Sequence, residues 1–344
     1  MSLQSFVQAL PKVELGLQFE GCVSVEAWRN VADLNEVNLL QRSMRPWVAA
    51  LEHPDVARLD ELYAVISQWA KYPEDLIRMV YDIGVGLSKQ NVKYAEIGIT
   101  PTRYISGETT FEELMEALSD GRDRAKRGWG IELAWVFNIP RDEMRRADEI
   151  VRLANSTTGR RHNVIGVALV GLENNQQLAA VERAFSSAAK RLVARGARAG
   201  DQLGAAGILD AISTLSLTRV QSAWPVGSDA AVCERLAQEG IFLDVPLSMV
   251  VPLNHAASLS EYPLRAVLDA GVKVTLTANA SARLKTTTQE QYLLAAEACG
   301  LEADDLVAIA LNGVRASGLS DEQKQELVGA FKAEIDAARA AHLA

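Results

Sequence analysis

The chain has 344 residues, 49% of them hydrophobic and 23% charged, with a formal net charge of −9. That composition excludes a disordered chain and supplies a well-filled core, and the length suits either two domains or one α/β barrel. The acidic balance disfavours nucleic acid and anionic membrane surfaces as partners.

The first residues, MSLQSFVQALPKVE, lack the charged start and long apolar stretch of a secretory signal, and no run approaches the ~20 apolar residues of a membrane span. A cytoplasmic location is expected. From there, short β-rich runs alternate with longer helical patterns. The β-rich runs are VELGLQF (13–19), YAEIGIT (94–100), IELAWVF (131–137), NVIGVALV (163–170), a weak ARGARAG (194–200), LTRVQSA (217–223), IFLDVPL (241–247) and VKVTLTA (272–278). Between them, segments such as PEDLIRMVYDIGVGLSKQ and RRADEIVRLANS place apolar residues at helical spacing. Eight strand–helix units predict an α/β fold, a (β/α)8 barrel of parallel strands forming one domain over residues 1–344. A doubly wound open sheet is the structural alternative, and no glycine fingerprint supports its dinucleotide-binding form.

Two stretches depart from the alternation. Residues 24–75 are too long for a plain connection after the first strand; they read as several helices carrying Trp28, Trp47 and Trp69, placed as a lid over the barrel mouth or as plain core. The tail, about 287–341, reads as three helices, with Gly300 ending the first and the N-cap signal LSDEQ (319–323) opening the last. The three cysteines, Cys22, Cys233 and Cys299, lie far apart without CxxC spacing and read as isolated buried thiols.

The opening stretch LPKVELGLQFEG (10–21) resembles the start of the adenosine deaminase family, where the same stretch carries a His-x-His pair. The resemblance extends through YAEIGITP (94–101), VALVGLE (167–173), ARAGD (197–201), TRVQSA (218–223), VTLTANAS (274–281) and the helical run 292–317. It implies a metal-dependent hydrolase barrel performing zinc-assisted removal of the purine 6-amino group. It also implies what each position should supply. The paired histidines fall on Gly16 and Gln18, the strand-five zinc histidine on Arg198, and the zinc aspartate on Asn279. The water-orienting histidine falls on Ser222, the second aspartate of an Asp-Asp pair on Ala280, and the general acid/base glutamate on Asp201. On the binding side, Glu20 matches the acid that contacts the ribose hydroxyl and Gly171 the glycine that approaches the purine ring.

Catalytic zinc takes about three ligands from imidazole, thiolate or carboxylate, and glycine, neutral amides and a protonated arginine are poor substitutes. Zinc lowers the pKa of bound water from about 15.7 to 7, which is roughly 12 kcal/mol of nucleophile activation. The four histidines, His53, His162, His255 and His342, fall in helical, loop or terminal segments, where histidines are usually solvated surface residues. The expectation is therefore no zinc, no other cofactor and no adenosine deamination. The site residues become candidates for holding a small molecule, a nucleoside or an anion: Glu20, Gly171, Arg198, Asp201 and Asn279. Arg198 pairs with Asp201 or Glu20, receives an anion, or is a solvated loop residue of the basic run KRLVARGAR (190–198). Glu14 and Glu96 read as barrel-interior carboxylates paired with an arginine, with a binding role at the mouth as the alternative, and Asp244, at the end of strand seven, as a group placed to hydrogen-bond a ligand. The leading expectation is a regulatory, carrier or sensor pseudoenzyme. A metal-free hydrolase or deaminase with another substrate, and a structural subunit with a filled pocket, are the alternatives; homo-oligomer formation is left open.

Overall fold

A computed structural model describes residues 2–106, 109–173 and 178–343. Eight parallel strands follow one another in sequence order around a barrel: β1 (Lys12–Gln18), β2 (Val92–Ile99), β3 (Glu132–Pro140), β4 (Val164–Val170), β5 (Ala194–Arg198), β6 (Arg219–Gln221), β7 (Phe242–Val245) and β8 (Val274–Leu276). The fold is a (β/α)8 barrel. Closure between the last strand and the first is made beyond the regular ladder: the Gln18 N–H donates to the Asn279 carbonyl at 2.9 Å, and the Ala278 N–H donates to the Glu14 carboxylate at 2.9 Å.

Local signals explain the helices that surround the strands. Thr110 and Glu113 cap each other's backbone at the start of Phe111–Trp129, and Gly130, at φ +73°, ends that helix in the left-handed region. The tail forms Thr288–Glu297, Ala303–Ala316 and Asp321–His342; Gly300 follows the first at φ +68°, and Ser320 with Gln323 forms the capping box of the last. A short helix, Leu3–Ala9, precedes β1 and plugs Phe6 and Val7 into the core. After β1 the chain forms Phe19–Cys22, Val25–Leu34, Arg45–Glu52 and Leu59–Ile66 before the long helix Pro73–Ser88. Trp28 and Trp69 are buried in the core, whereas Trp47 is half-buried under the Arg58 guanidinium.

The barrel interior holds a buried charge cluster of one arginine and two acids. Arg219, the first residue of β6, forms an ion pair through Nη2 with Glu96 of β2 at 2.6 Å, and its Nε lies 3.6 Å from Asp244 of β7. The Thr275 hydroxyl donates to Asp244. Burial pushes the Asp244 carboxyl up despite Arg219. Asp244 is thus committed to the interior network and does not stand free at the mouth as the sequence suggested. Glu96 has the arginine expected for it. Glu14 has none: it is fully buried and held by the N–H groups of Gly16 and Ala278 and the hydroxyl of Thr288, and burial raises its pKa.

Candidate functional site at the barrel mouth

The carboxyl ends of the strands, where barrel active sites gather, carry two small cavities that share Gln18 and Arg198: Gly16 lines the one inside the barrel and Asn279 the one at its mouth. Gln18, the last residue of β1, accepts a hydrogen bond from the Asn138 amide at 2.7 Å. Asn279 lies three residues beyond β8 at φ +52°, a left-handed conformation that asparagine tolerates better than most side chains. Its amide donates to the Gly16 carbonyl at 3.2 Å and to Gln221 Oε1 at 3.0 Å, while Gln221 Nε2 also donates to the Gly16 carbonyl at 3.2 Å. Four neutral amides therefore tie β1 to β3, β6 and the end of β8. Gly16 is part of the fit: a Cβ there would stand 2.5 Å from Gln221 Nε2 and 2.7 Å from Thr277 Oγ1.

Arg198 closes β5. Its side chain is 9% exposed, which removes the solvated-loop alternative, and its Nε donates to Asp201 at 2.6 Å. Burial on its own would push the Arg198 guanidinium down, but Asp201 and Asp60 hold it above the usual arginine value. Burial likewise opposes ionisation of Asp201, yet Arg198, His255 and the Ala223 N–H keep its carboxyl below the usual range. The Arg198 carbonyl accepts a bond from Arg141 Nη2 at 2.7 Å.

The other candidates separate clearly. Ser222 is fully buried and its Oγ accepts the Trp224 N–H, a turn-closing bond. Ala280 is fully buried against Gly21. Glu20 is 1% exposed and accepts the Tyr104 hydroxyl at 2.9 Å; burial raises its pKa, with Arg103 as the main opposing charge. Gly171 has φ +94°, so the turn after β4 itself requires glycine.

Three residues of the mouth escaped the sequence reading. His255, which the pattern placed on the surface, has a side chain only 8% exposed, with Nε2 3.4 Å from Asp201 Oδ1. The turn after Leu247–Val250 folds back and carries it there, the His255 N–H bonding to the Val250 carbonyl. Asp60 and Tyr63 come from the helix Leu59–Ile66, which lies over the mouth and lines it together with Gly171 and Arg198. Burial raises the Asp60 pKa, partly offset by Arg198 and Arg103. The space left is small. Inside the barrel it amounts to about 40 Å³, and under Asp60 and Tyr63 to about 10 Å³. A water molecule requires ~10–15 Å³ on this measure, so the mouth as it stands has room for a few waters.

This donor set does not fit a catalytic divalent ion. Gly16 offers no side chain, Gln18 and Asn279 offer only neutral amides, the Gln18 oxygen already accepting from Asn138, and the Arg198 guanidinium adds a positive charge that repels a cation. Among the described residues, no three His, Cys, Asp or Glu side chains stand together in a way that could hold a metal.

Eight parallel strands in sequence order with a polar cluster at their carboxyl ends define a (β/α)8-barrel protein. The adenosine deaminase family profile matches residues 11–334, and the chain belongs to the adenosine deaminase family. It is 28% identical to an aminodeoxyfutalosine deaminase of Streptomyces avermitilis, with 99% of this chain and 95% of that protein covered. It is 27% identical to an adenine deaminase of Cupriavidus pinatubonensis, covering 97% of this chain and 94% of the relative. Among solved structures, an amidohydrolase from Burkholderia ambifaria with bound Zn superposes with a TM-score of 0.87 at 22% identity, over 99% of this chain and 95% of the other.

Proposed function

We propose that this chain is a non-deaminating member of its family, a pseudoenzyme that holds a small ligand at the barrel mouth in a regulatory role. The observation that carries this reading is the amide network. Gln221 packs into the volume that a side chain at position 16 would need, and Asn279 and Gln18 spend their amides on protein partners. Without three imidazole or carboxylate ligands converging on one point among the described residues, there is no bound metal to generate hydroxide near neutral pH. The small free volume favours an anion over a whole nucleoside as the occupant, and Arg198 is the cation that would receive it.

The contact between His255 and Asp201 favours a second reading, a metal-free hydrolase acting on another substrate, because a carboxylate beside an imidazole is a general acid/base arrangement. One experiment addresses both. Ammonia release is measured from adenine, adenosine and a panel of aminated purines and pyrimidines, with and without added zinc. No release in any well is expected. Zinc-dependent release would overturn the proposal, and zinc-independent release that disappears in His255→Ala would favour the second reading.

A further inference from the structure

The end of the barrel opposite the mouth carries a larger cavity. It encloses about 300 Å³, against about 40 and 10 Å³ at the mouth, and so reaches the lower end of the range of small-molecule sites. Ile165 of β4, with Leu319 and Leu327 of the tail, lines it with apolar side chains that are only half-buried, leaving apolar surface for an occupant to cover. Tyr94 and Gly318 line it too, and both hold the buried acid Glu96: the Gly318 N–H donates to Glu96 Oε1 at 2.6 Å and the Tyr94 hydroxyl at 3.2 Å. Glu96 in turn pairs with Arg219, which lines the cavity inside the barrel. The turn at Gly318 passes close to the wall, since a Cβ there would stand 2.3 Å from Ile165 Cδ1.

The charges on the rim select the ligand. Lys93 is matched by Glu334 at 3.0 Å and Glu132 by Lys126 at 2.5 Å, whereas the exposed Glu326 forms no ion pair among the described residues. We propose that this cavity is a second ligand site, taking a small apolar molecule that carries one amine: its apolar part packs on Tyr94, Ile165, Leu319 and Leu327, and its ammonium faces Glu326. An anionic molecule of the same shape meets an uncompensated carboxylate there and is disfavoured. Because Gly318 is part of the lining, an occupant also braces the turn whose N–H holds Glu96, and so reaches the buried pair with Arg219 from the far end of the barrel.

The site is separate from the mouth, and its test is independent of turnover and of metal. The full-length protein is titrated by calorimetry with three probes of one shape, 2-phenylethylamine, 2-phenylethanol and phenylacetate. The amine is expected to bind about twofold to fivefold more tightly than the alcohol, the range of an exposed ion pair, with phenylacetate the weakest. Glu326→Lys is expected to reverse the order of amine and phenylacetate. Ala330 lines the cavity from an exposed position on the helix Asp321–His342, so Ala330→Trp fills the space without entering the core and is expected to weaken the amine about tenfold or more. Saturating amine is expected to slow hydrogen exchange of the Gly318 amide. Equal affinity for the three probes, no binding of any at millimolar concentration, or amine binding undiminished in Ala330→Trp overturns the proposal, and unaltered Gly318 exchange overturns the link to Glu96. A concentration-dependent dimer that Ala330→Trp abolishes would give the cavity to a second copy of the chain and overturn the proposal as well.

Discussion

Gly16→Ala probes the packing of the amide network at the barrel mouth. A methyl group at this position would meet Gln221 Nε2 at 2.5 Å and Thr277 Oγ1 at 2.7 Å, both well inside van der Waals contact. Overpacking of this kind costs about 1–3 kcal/mol. If Gln221 gives way, its bond to the Gly16 carbonyl and the one it accepts from Asn279 go with it, at about 1 kcal/mol each. The lower unfolded-state entropy of alanine returns about 0.4–1 kcal/mol. The net expectation is a loss of about 2–4 kcal/mol, read by urea denaturation as a shifted midpoint at constant slope. Adding Gln221→Ala relieves the main clash, so the double variant should be more stable than additivity predicts by at least about 1 kcal/mol. A Gly16→Ala protein within about 0.5 kcal/mol of wild type, or strict additivity, would refute the claim that Gln221 fills this volume.

Three further outcomes follow from the charges. Asp201→Ala leaves Arg198 buried without its partner and should cost about 3–5 kcal/mol near pH 7. Because the folded Asp201 pKa is depressed, its contribution is complete above about pH 4 and fades as pH falls through the folded value, so the variant should show a flatter acid limb; an unchanged limb would count against the pair. The folded Asp60 pKa is raised, which reverses the sign: wild-type stability should decline as pH rises from about 4 through the folded value, and Asp60→Asn should abolish that decline in denaturation curves taken from pH 4 to 8. Glu96→Ala strips Arg219 of its closest acid inside the barrel and should destabilise by about 3–5 kcal/mol; a loss below about 1 kcal/mol would mean Asp244 alone suffices.

The barrel was legible because eight short strand-like runs alternate with helical patterns, the weak ARGARAG included, whose residues 194–198 form β5. The helix Leu3–Ala9 was not, since seven residues are too few for a helical period to stand out. The same contrast divides the site. Gly16, Gln18, Arg198 and Asn279 sit at strand ends, so strand order alone brings them together. Asp60, Tyr63 and His255 reach the mouth from connecting segments, whose path over the barrel no periodicity records. Partner choice was equally hidden: Glu14 and Glu96 both lie on inward-facing strands, but Arg219 of β6 reaches only Glu96, and Glu14 is left to backbone N–H groups and Thr288.

Zinc stoichiometry tests the central claim most directly. The full-length protein, produced in zinc-supplemented medium and exchanged into metal-free buffer, is analysed by plasma mass spectrometry. Far less than one zinc per chain is the result expected from a mouth built of amides and an arginine. One tightly held zinc per chain, lost when Gln18 or Asn279 is replaced by alanine, would contradict it.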